Sequence, residues 1–413
     1  MEKNNTTRAG YYLTGLFFDG ISSGLFMMAL PWMMLSTPNQ GAFVAIVALV
    51  CTVLSFLLTP FFSTLIDRSS RKQLLVLVQA LQAGTAVVVA LCYGAGYDSM
   101  GLLAAAQLVF WTSSNLAWSA NNAFTQEHFQ PHEYASISGK QEVIMQATTL
   151  GSGALGVVLL EMWGMFEFAC FAALASGIAM SSYLLAPYRR QLRQTHSASF
   201  FEQIKESREV FTLRPQFYAF LMLSTLTYPI LTFLMLSTLT YPILTFLSKL
   251  VPIWFAEMNI SGDWFAGYNI AFGMGSLVTG LFVSRLLGVS THPKIIIGAM
   301  LLATMALIGM SLSASPQSLI LCTFFFGTFN ALNRIARTNW MHYSINIDQR
   351  GRADGGLQMF STLVQSVSYV AIAFLSHFGL TQLGFMLAAM VMVAAVFMMV
   401  RLNGRMKLSA VLA

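Results

Sequence analysis

The stretch that decides the fold runs from Gly41 to Lys72 and reads GAFVAIVALVCTVLSFLLTPFFSTLIDRSSRK. No residue between Gly41 and Ile66 is charged, and the run then ends in one acidic and three basic residues. A helix needs roughly 20 mostly apolar residues to cross the hydrocarbon core of a bilayer. The stretch therefore predicts a transmembrane helix that ends in a charged turn at the membrane surface.

The composition of the whole chain extends this prediction. Of its 413 residues, 56% are hydrophobic and only 9% are charged, and the mean hydropathy is +0.66. Soluble domains carry about 25% charged residues, so the composition argues against a water-soluble enzyme. The cysteines lie inside apolar runs without a CxxC pair, which argues against a disulfide framework and a zinc site. They are Cys51, Cys92, Cys170 and Cys322.

Twelve apolar runs separated by polar turns predict an all-α membrane protein with twelve transmembrane helices. The first run is longer than a signal-peptide core and no A-x-A cleavage site follows it, so we expect it to remain as a span. The predicted spans are residues 10–35, 41–66, 73–95, 101–124, 141–160, 165–186, 216–256, 264–285, 294–314, 317–341, 356–377 and 380–401.

The positions of the charges test this count. Cytoplasmic loops of membrane proteins carry an excess of Lys and Arg. With both termini placed in the cytoplasm, every Lys and Arg other than Lys249, Arg334 and Arg337 falls in a cytoplasmic loop, at a terminus or at the inner end of a span. A wrong number of spans would break this alternation. The same distribution explains the formal net charge of +6 without a nucleic-acid partner.

The longest polar stretch divides the chain into three parts. Residues 1–186 form an N-terminal six-helix half, residues 187–215 a cytoplasmic linker, and residues 216–413 a C-terminal six-helix half. Within the linker, residues 201–214 predict an amphipathic helix on the inner membrane surface. Arg68 and Arg285, and Asn122 and Asn339, fall at equivalent points of the two halves. Two pseudo-symmetric halves predict a transporter whose site lies between them.

One internal repeat is identical in both copies. Residues 220–232 and 233–245 each read FLMLSTLTYPILT. An old repeat would have diverged, so this is either a recent duplication or an error of cloning or assembly. Residues 216–256 would form about 61 Å of helix, twice the roughly 30 Å hydrocarbon core. Because Pro229 and Pro242 each remove a backbone hydrogen bond, we expect a long, bent seventh element that projects outwards, with twelve crossings kept.

The charged turn of the opening stretch resembles a signature of the major facilitator superfamily. Residues 63–72 follow the pattern G-x-L-a-D-r-x-G-r-k found between helices 2 and 3 of that family, with Ser63 and Ser70 in place of the glycines. The resemblance implies the major facilitator fold and a conformational latch, since an acid at a helix end and a basic cluster can hold and release a partner. The alternative is that these charges only set the topology. The predicted latch residues are Asp67, Arg68, Arg71, Lys72, Arg350 and Arg352.

Further short motifs resemble one branch of this family. Phe18-Asp19-Gly20 and Ala29-Leu30-Pro31-Trp32 in span 1, and residues 350–355 after span 10, are similar to bacterial exporters that include enterobactin exporters and macrolide efflux proteins. Residues 151–156 read GSGALG, which is no dinucleotide fingerprint because no strand precedes it. This run resembles the fifth-helix motif of antiporters without its Gly-Pro pair. The alternative is close helix packing through small residues.

Asp19 is the only carboxylate deep within a predicted span. Counted from residue 10, it lies roughly 14 Å into the bilayer, and Gly15, Ser22 and Ser23 share its face. A charged carboxylate is costly there, so Asp19 can take up a proton from one side and release it to the other. We predict that Asp19 is the proton or cation coupling site. The alternative is an acid paired with Asn or Arg for stability.

Two polar helix faces, in spans 4 and 10, predict the substrate cavity. Their residues are three or four positions apart, and the family resemblance implies that the fourth helix of each half lines a central cavity. Hydrogen bonding between helices is the alternative. The predicted cavity residues are Asn115, Ser119, Asn122, Asn330, Asn333, Arg334 and Arg337.

Arg334 and Arg337 favour an anionic cargo, because a guanidinium group stays charged and fits a carboxylate. Two alternatives stay open. The pair could instead latch to Asp67 or Glu142 in the other half, or Arg337 could extend to the inner headgroups.

Together these features predict a secondary exporter that moves a small organic molecule, an anionic siderophore, out across a bacterial inner membrane by proton-coupled alternating access. The alternatives are a multidrug or macrolide efflux pump of the same fold, a membrane-embedded enzyme and a passive channel. The sequence predicts no enzymatic activity, no cofactor and no metal: Pro131 separates His128 from His132, and no P-loop is present. The expected partners are the cargo, protons and lipid, and we expect a monomer.

Overall fold

A computed structural model gives the fold and describes residues 2–35, 41–187, 229–258, 263–313, 315–345, 347 and 350–412. The described residues form α-helices and one short 3-10 helix, without a strand. The helices are α1 (Glu2–Leu35), α2 (Gly41–Arg68), α3 (Arg71–Gly94), α4 (Met100–His128), α5 (Tyr134–Met162), α6 (Met165–Leu185), α7 (Pro229–Thr238), α8 (Thr240–Glu257), α9 (Asp263–Leu287), α10 (His292–Ser311), α11 (Pro316–Ser344), α12 (Arg350–His377) and α13 (Thr381–Leu412). Helices α7 and α8 together correspond to span 7, and α9 to α13 correspond to spans 8 to 12.

Local sequence sets where several helices begin. Ser70 and Ser99 precede α3 and α4, and each hydroxyl accepts a hydrogen bond from a backbone N–H in the first turn, as helix N-caps do. Ser70 therefore has a defined role at a position where the family signature has a glycine. Helix α11 begins at Pro316, where a missing N–H costs nothing.

The first compact unit contains α1 to α6 and residues Ile345–Gly355. Helix α1 packs on α5 and α6, α3 packs on α4 and α6, and α2 packs on α4. Along α6 the buried positions Ala169, Ala172 and Ala179 are small, so α1 and α3 can approach it closely. Small residues at helix contacts are typical of membrane proteins, where van der Waals packing holds helices together.

The second compact unit contains α7 to α11, α13 and the part of α12 from Gly356 onwards. Its helix pairings repeat those of the first unit. Helix α10 packs on α11 and α13, as α3 packs on α4 and α6 in the first unit. Helix α9 packs on α11, as α2 packs on α4. Helix α7 packs on α13, as α1 packs on α6. The prediction of an all-α protein built from two similar halves is confirmed.

The helices suit a membrane rather than water. Ten described segments are long and apolar enough to cross a bilayer. Helices α4 and α12 have the length, but they carry more polar side chains, such as Asn121 and Gln358. Large apolar side chains face outwards, including Leu57, Leu91 and Val367. Soluble monomers rarely expose continuous apolar surface, so the fold confirms a multi-pass membrane protein.

The duplicated segment is interrupted in the seventh span. Helix α7 ends at Thr238, four residues before Pro242, whose ring disturbs the turn that precedes it. Helix α8 begins at Thr240. The apolar segment runs over Thr232–Phe255 and contains the second copy. Residues 188–228, with nearly all of the predicted linker and most of the first copy, lie outside the described residues. Helix α8 ends at Glu257, and the outward projection expected of the long seventh element stays a prediction.

Candidate functional site

Asp19 lies on a polar face of α1 that packs against α6. Tyr12, Gly15, Asp19 and Ser22 are three or four residues apart, so they share this face. Asp19 is only 7% exposed. One turn further along, Ser22 Oγ lies 2.9 Å from Ser176 Oγ on α6. The contact between α1 and α6 is therefore polar around Asp19, although it lies deep in an apolar unit.

Tyr183 of α6 rests directly on the backbone of α1. A Cβ atom at Gly15 would be 2.6 Å from Tyr183 Cε1, so a larger residue there would displace the ring. The ring centroid of Tyr183 also lies 6.3 Å from that of Tyr12. Because Tyr12 and Gly15 share the α1 face of Asp19, Tyr183 packs on that same face.

Gln79 of α3 is the neutral neighbour of Asp19. Its amide lies beside the Asp19 carboxylate, and both side chains are buried. Within the described residues, Asp19 forms no ion pair. A buried carboxylate without a fixed cation can lose its charge by taking up a proton. This is the property that a proton-coupling group requires.

Asp67, near the C-terminal end of α2, contacts the start of α12. Its Oδ1 accepts a hydrogen bond of 2.6 Å from the backbone N–H of Gly351, at a helix N-terminus, where a carboxylate is favoured. A Cβ atom at Gly351 would lie 2.4 Å from the Ser63 carbonyl oxygen, and one at Gly355 would lie 2.0 Å from Ser63 Oγ. Residues Ile345–Gly355, which we call the docking segment, therefore meet α2 through two glycines.

Arg71 anchors the same docking segment from the other side. It is fully buried, and its Nη1 and Nη2 donate to the carbonyl oxygens of Ala123 (2.9 Å) and Ile347 (2.5 Å). Its Nε lies 3.8 Å from Glu127 Oε2. The structure thus brings two of the predicted latch residues, Asp67 and Arg71, to the docking segment.

The other predicted latch residues have different surroundings. Lys72 Nζ donates to two carbonyl oxygens at the end of α6, at 2.8 Å each, as basic residues near helix C-termini do. Arg68 is half-buried at the end of α2. Arg350 Nε pairs with Asp354 Oδ2 at 2.9 Å within the docking segment. The side chain of Arg352 lies outside the part that the structure describes.

The polar face of α4 takes part in helix packing. Asn115 Nδ2 donates to Ser55 Oγ of α2 (3.1 Å) and to the Trp111 carbonyl oxygen (3.0 Å). Ser119 and Asn122, further along the same face, are half-buried. Asn115 thus joins two helices within the first unit, while the role of this face in binding a substrate stays a prediction.

The polar face of α11 forms hydrogen bonds with residues at the break between α7 and α8. Asn333 Nδ2 donates to the Ser237 carbonyl oxygen (2.8 Å) and to Thr240 Oγ1 (3.1 Å), and Arg337 Nη1 donates to the same carbonyl (2.8 Å). Ser237 is in the last turn of α7, where carbonyl groups lack a helical partner. Asn333 and Arg337 satisfy this carbonyl.

The two remaining predicted residues of α11 are Asn330 and Arg334. Asn330 is buried. Arg334 is half-buried and acts electrostatically on Tyr241, a partly exposed residue of α8. The part that Arg334 plays in binding an anion stays a prediction.

The sequence profile described as Major Facilitator Superfamily matches residues 12–286. The chain belongs to the Major Facilitator Superfamily. The resemblance found in the charged turn after α2 is confirmed. The fold and the family are those of membrane transporters, which supports the prediction that the protein is no enzyme.

Solved structures of several transporters share this fold. A bacterial homologue of the iron transporter ferroportin, in an outward-facing state, is 13% identical with a TM-score of 0.73, over 96% of this chain and 99% of that one. The human organic anion transporter MFSD10 (TETRAN) is 14% identical with a TM-score of 0.71, over 95% and 99% of the two chains. FucP, in the outward conformation, is 12% identical with a TM-score of 0.69, over 95% and 98%. Among curated protein sequences, none matches.

Sequence reasoning missed part of the site of this transporter. It identified Asp19 and its small neighbours, but not Tyr12, although Tyr12 lies two helical turns before Asp19 on the same face. Tyr183 could not be found in this way, because only the tertiary contact with Gly15 brings it there. The docking glycines, Gly351 and Gly355, were noted only as part of a short family motif.

Proposed function

We propose that this transporter is a proton-coupled exporter that moves a small organic anion out across the bacterial inner membrane by alternating access. The proposal rests chiefly on one observation. Asp19 is buried on the α1 face that packs on α6, beside the neutral Gln79, and has no ion-pair partner among the described residues. In the proposed topology both termini are cytoplasmic, and the working unit is a monomer.

An anionic siderophore is the proposed cargo. Arg334 stays charged and can pair with a carboxylate or another anion, and Tyr241 next to it offers an aromatic surface. One transporter of similar fold carries organic anions by its description, which is compatible with such a cargo. A multidrug or macrolide efflux pump of the same fold is the second candidate, which the Asp19 observation supports equally.

The docking segment is the proposed latch. Its start is held by Asp67 and Arg71, while α12 continues from Gly356 as part of the second unit. We infer that the Asp67–Gly351 hydrogen bond forms in one stage of the transport cycle and breaks in another. A contact that is either formed or broken can convert a small local change into a large movement of a helix or domain.

Transport by inside-out membrane vesicles tests the proposed function. Vesicles that contain the wild type, Asp19→Asn or Asp98→Asn are given a tris-catecholate siderophore or a cationic macrolide. Uptake is measured with and without a proton gradient in which the vesicle interior is acidic. Asp98 is the matched control, because it is an exposed aspartate in the turn between α3 and α4. We expect gradient-driven uptake of the siderophore by the wild type and by Asp98→Asn.

Asp19→Asn is expected to lose gradient-driven uptake but to keep siderophore exchange down its own concentration gradient, because the amide cannot exchange a proton. Full gradient-driven uptake by Asp19→Asn would refute proton coupling through Asp19. Uptake of the macrolide alone would favour the efflux pump over the siderophore exporter.

A further inference from the structure

Two tryptophans lie on the polar face of α4. Trp111 and Trp118 alternate along the helix with Asn115 and Asn122, at spacings of four, three and four residues, so the four side chains share one face. We call these four residues the α4 stripe. Trp111 is 38% exposed and Trp118 is 47% exposed, and the two asparagines are half-buried. The α4 stripe is therefore an accessible surface on which aromatic rings and amide groups alternate.

The α4 stripe lies in the middle of its helix. Helix α4 runs over Met100–His128, so each of the two tryptophans is roughly 15–17 Å from the nearer helix end. Tryptophans that face lipid are enriched instead at the two membrane surfaces. Amide groups in the middle of a membrane face the protein interior or a water-filled cavity, because hydrocarbon cannot satisfy their hydrogen bonds. The α4 stripe thus has the properties of a surface that lines a cavity rather than one that lipid covers.

Asn115 presents a hydrogen-bond acceptor on this surface. Its Nδ2 donates to Ser55 Oγ of α2 at 3.1 Å and to the Trp111 carbonyl oxygen at 3.0 Å. These two bonds engage the two donors of the amide group. The Oδ1 atom of Asn115 forms no hydrogen bond within the described residues. A ligand on the α4 stripe therefore meets an acceptor that lies between two indole rings.

The chemistry of the α4 stripe fits an aromatic ring that carries a hydroxyl group. Aromatic rings stack on the indole rings of tryptophan, and a hydroxyl group on the ring donates the hydrogen bond that the Asn115 oxygen accepts. Tryptophan faces also attract cations, but the stripe contains no carboxylate that would complement a cation. A neutral ring with a hydrogen-bond donor is therefore the better fit.

We propose that the α4 stripe binds the ring of a phenolic cargo. Trp111 and Trp118 stack on the ring, and Asn115 accepts a hydrogen bond from its hydroxyl group. Asn122, whose amide forms no hydrogen bond within the described residues, bonds to a second polar group of the cargo. This proposal rests on the proposed function, in which the cargo is a small organic anion, and adds that this anion carries a phenolic ring.

Ligand-observed NMR on the purified protein in nanodiscs tests this binding without a proton gradient. The probes are 4-hydroxybenzoate, benzoate, which lacks the hydroxyl group, and cyclohexanecarboxylate, which also lacks the aromatic ring. Dissociation constants come from titrations corrected with empty nanodiscs. The test variants are Trp111→Leu, Trp118→Leu, Trp118→Phe and Asn115→Leu. The matched controls are Trp32→Leu, at an exposed tryptophan near the end of α1, and Ser55→Ala, which removes the bond from Asn115 to α2 but keeps the acceptor.

We expect the wild type to bind 4-hydroxybenzoate most tightly and cyclohexanecarboxylate least tightly. A stacked aromatic pair changes an affinity by roughly 2- to 10-fold. Trp111→Leu and Trp118→Leu should weaken benzoate binding by this factor and leave cyclohexanecarboxylate binding unchanged, whereas Trp118→Phe and Trp32→Leu should keep the wild-type affinities. A hydrogen bond contributes a similar factor of about 2- to 10-fold. Asn115→Leu should therefore bind 4-hydroxybenzoate no better than benzoate, and Ser55→Ala should keep the preference for the hydroxyl group.

Three results would overturn the phenolic site. They are no binding of any probe to the wild type, equal binding of benzoate and cyclohexanecarboxylate, and an unchanged preference for the ring in both leucine variants of the tryptophans. Failure of the proposed function gives a different result, which the neutral probe 4-hydroxybenzamide detects. If this amide binds as tightly as 4-hydroxybenzoate and depends equally on Trp118, the ring site is supported and the anionic cargo is refuted.

Discussion

Replacing Gly355 by alanine should weaken the contact between the docking segment and α2. The new Cβ atom would lie 2.0 Å from Ser63 Oγ and 3.2 Å from Ser63 Cβ, whereas the nearest atom of another residue, Thr59 Cγ2, is 3.5 Å away, an ordinary contact distance. The hydroxyl of Ser63 is therefore the atom in the way. Extra atoms in a well-packed contact cost about 1–3 kcal/mol. This corresponds to about a 5- to 150-fold loss in the population of the docked segment.

The second half of this prediction is a rescue. Ser63→Gly removes the hydroxyl and should restore docking to Gly355→Ala. It should not rescue Gly351→Ala, because the Cβ atom at Gly351 would meet the Ser63 backbone carbonyl oxygen at 2.4 Å, and glycine keeps that atom. A Cβ atom at Gly351 would also lie 2.9 Å from Asp67 Oδ1, so Gly351→Ala reports on contacts that Ser63→Gly leaves in place, whereas Gly355→Ala reports on the Ser63 side chain.

Hydrogen–deuterium exchange measures the docked population. The Gly351 amide donates to Asp67, so peptides that cover residues 345–355 should exchange slowly in the wild type and in Ser63→Gly/Gly355→Ala. They should exchange faster in Gly355→Ala, Gly351→Ala and Ser63→Gly/Gly351→Ala. Peptides from α9 to α11 control for general unfolding. Equal rescue of both alanine variants by Ser63→Gly, or no effect of Gly355→Ala, would refute this account of the contact.

Further predictions concern the second unit. Arg334→Gln should weaken binding of an anionic siderophore, and unchanged binding would contradict its role in the cargo site. Arg337→Gln should lower the melting temperature because the Ser237 carbonyl loses a donor, and an unchanged melting temperature would contradict its role at the break. Asn333→Ala, which removes two hydrogen bonds at the same break, should destabilise the protein by about 1–2 kcal/mol, and an unchanged melting temperature would contradict its role there. Deletion of residues 233–245 should preserve or raise the melting temperature and keep Arg350 cytoplasmic in reporter fusions, and a reporter placing Arg350 outside would contradict the topology.

The fold was largely predictable because lipid imposes simple rules on a sequence. Apolar runs of fixed length and basic residues on one side give the spans and their number. They also gave the position of Asp19, since a carboxylate in the middle of an apolar run stands out. Tyr183 shows the limit of this reasoning. A tyrosine near the end of an apolar helix is unremarkable in sequence, and only the packing of α6 on Gly15 places it beside Asp19.

The predicted polar faces show a second limit. Spacing along a helix identifies which residues share a face, but not what that face meets. On α11 the predicted cavity face meets the break between α7 and α8, where Asn333 and Arg337 bond to a single carbonyl group. The sequence held one signal for this contact, because Pro242 predicts a disturbed turn at residue 238. The donors of the facing helix could not be inferred from it.

The same break explains how the chain accommodates thirteen extra residues. The two copies of FLMLSTLTYPILT are identical, so deleting either one leaves the same sequence, joined to α8 in the same register. In that shorter chain the single copy would supply the counterparts of Ser237 and Thr240, and the contacts with Asn333 and Arg337 would be kept. The added residues precede the apolar segment Thr232–Phe255, on the side of the linker. We therefore expect the repeat to leave the number of crossings and the orientation of α9 to α13 unchanged.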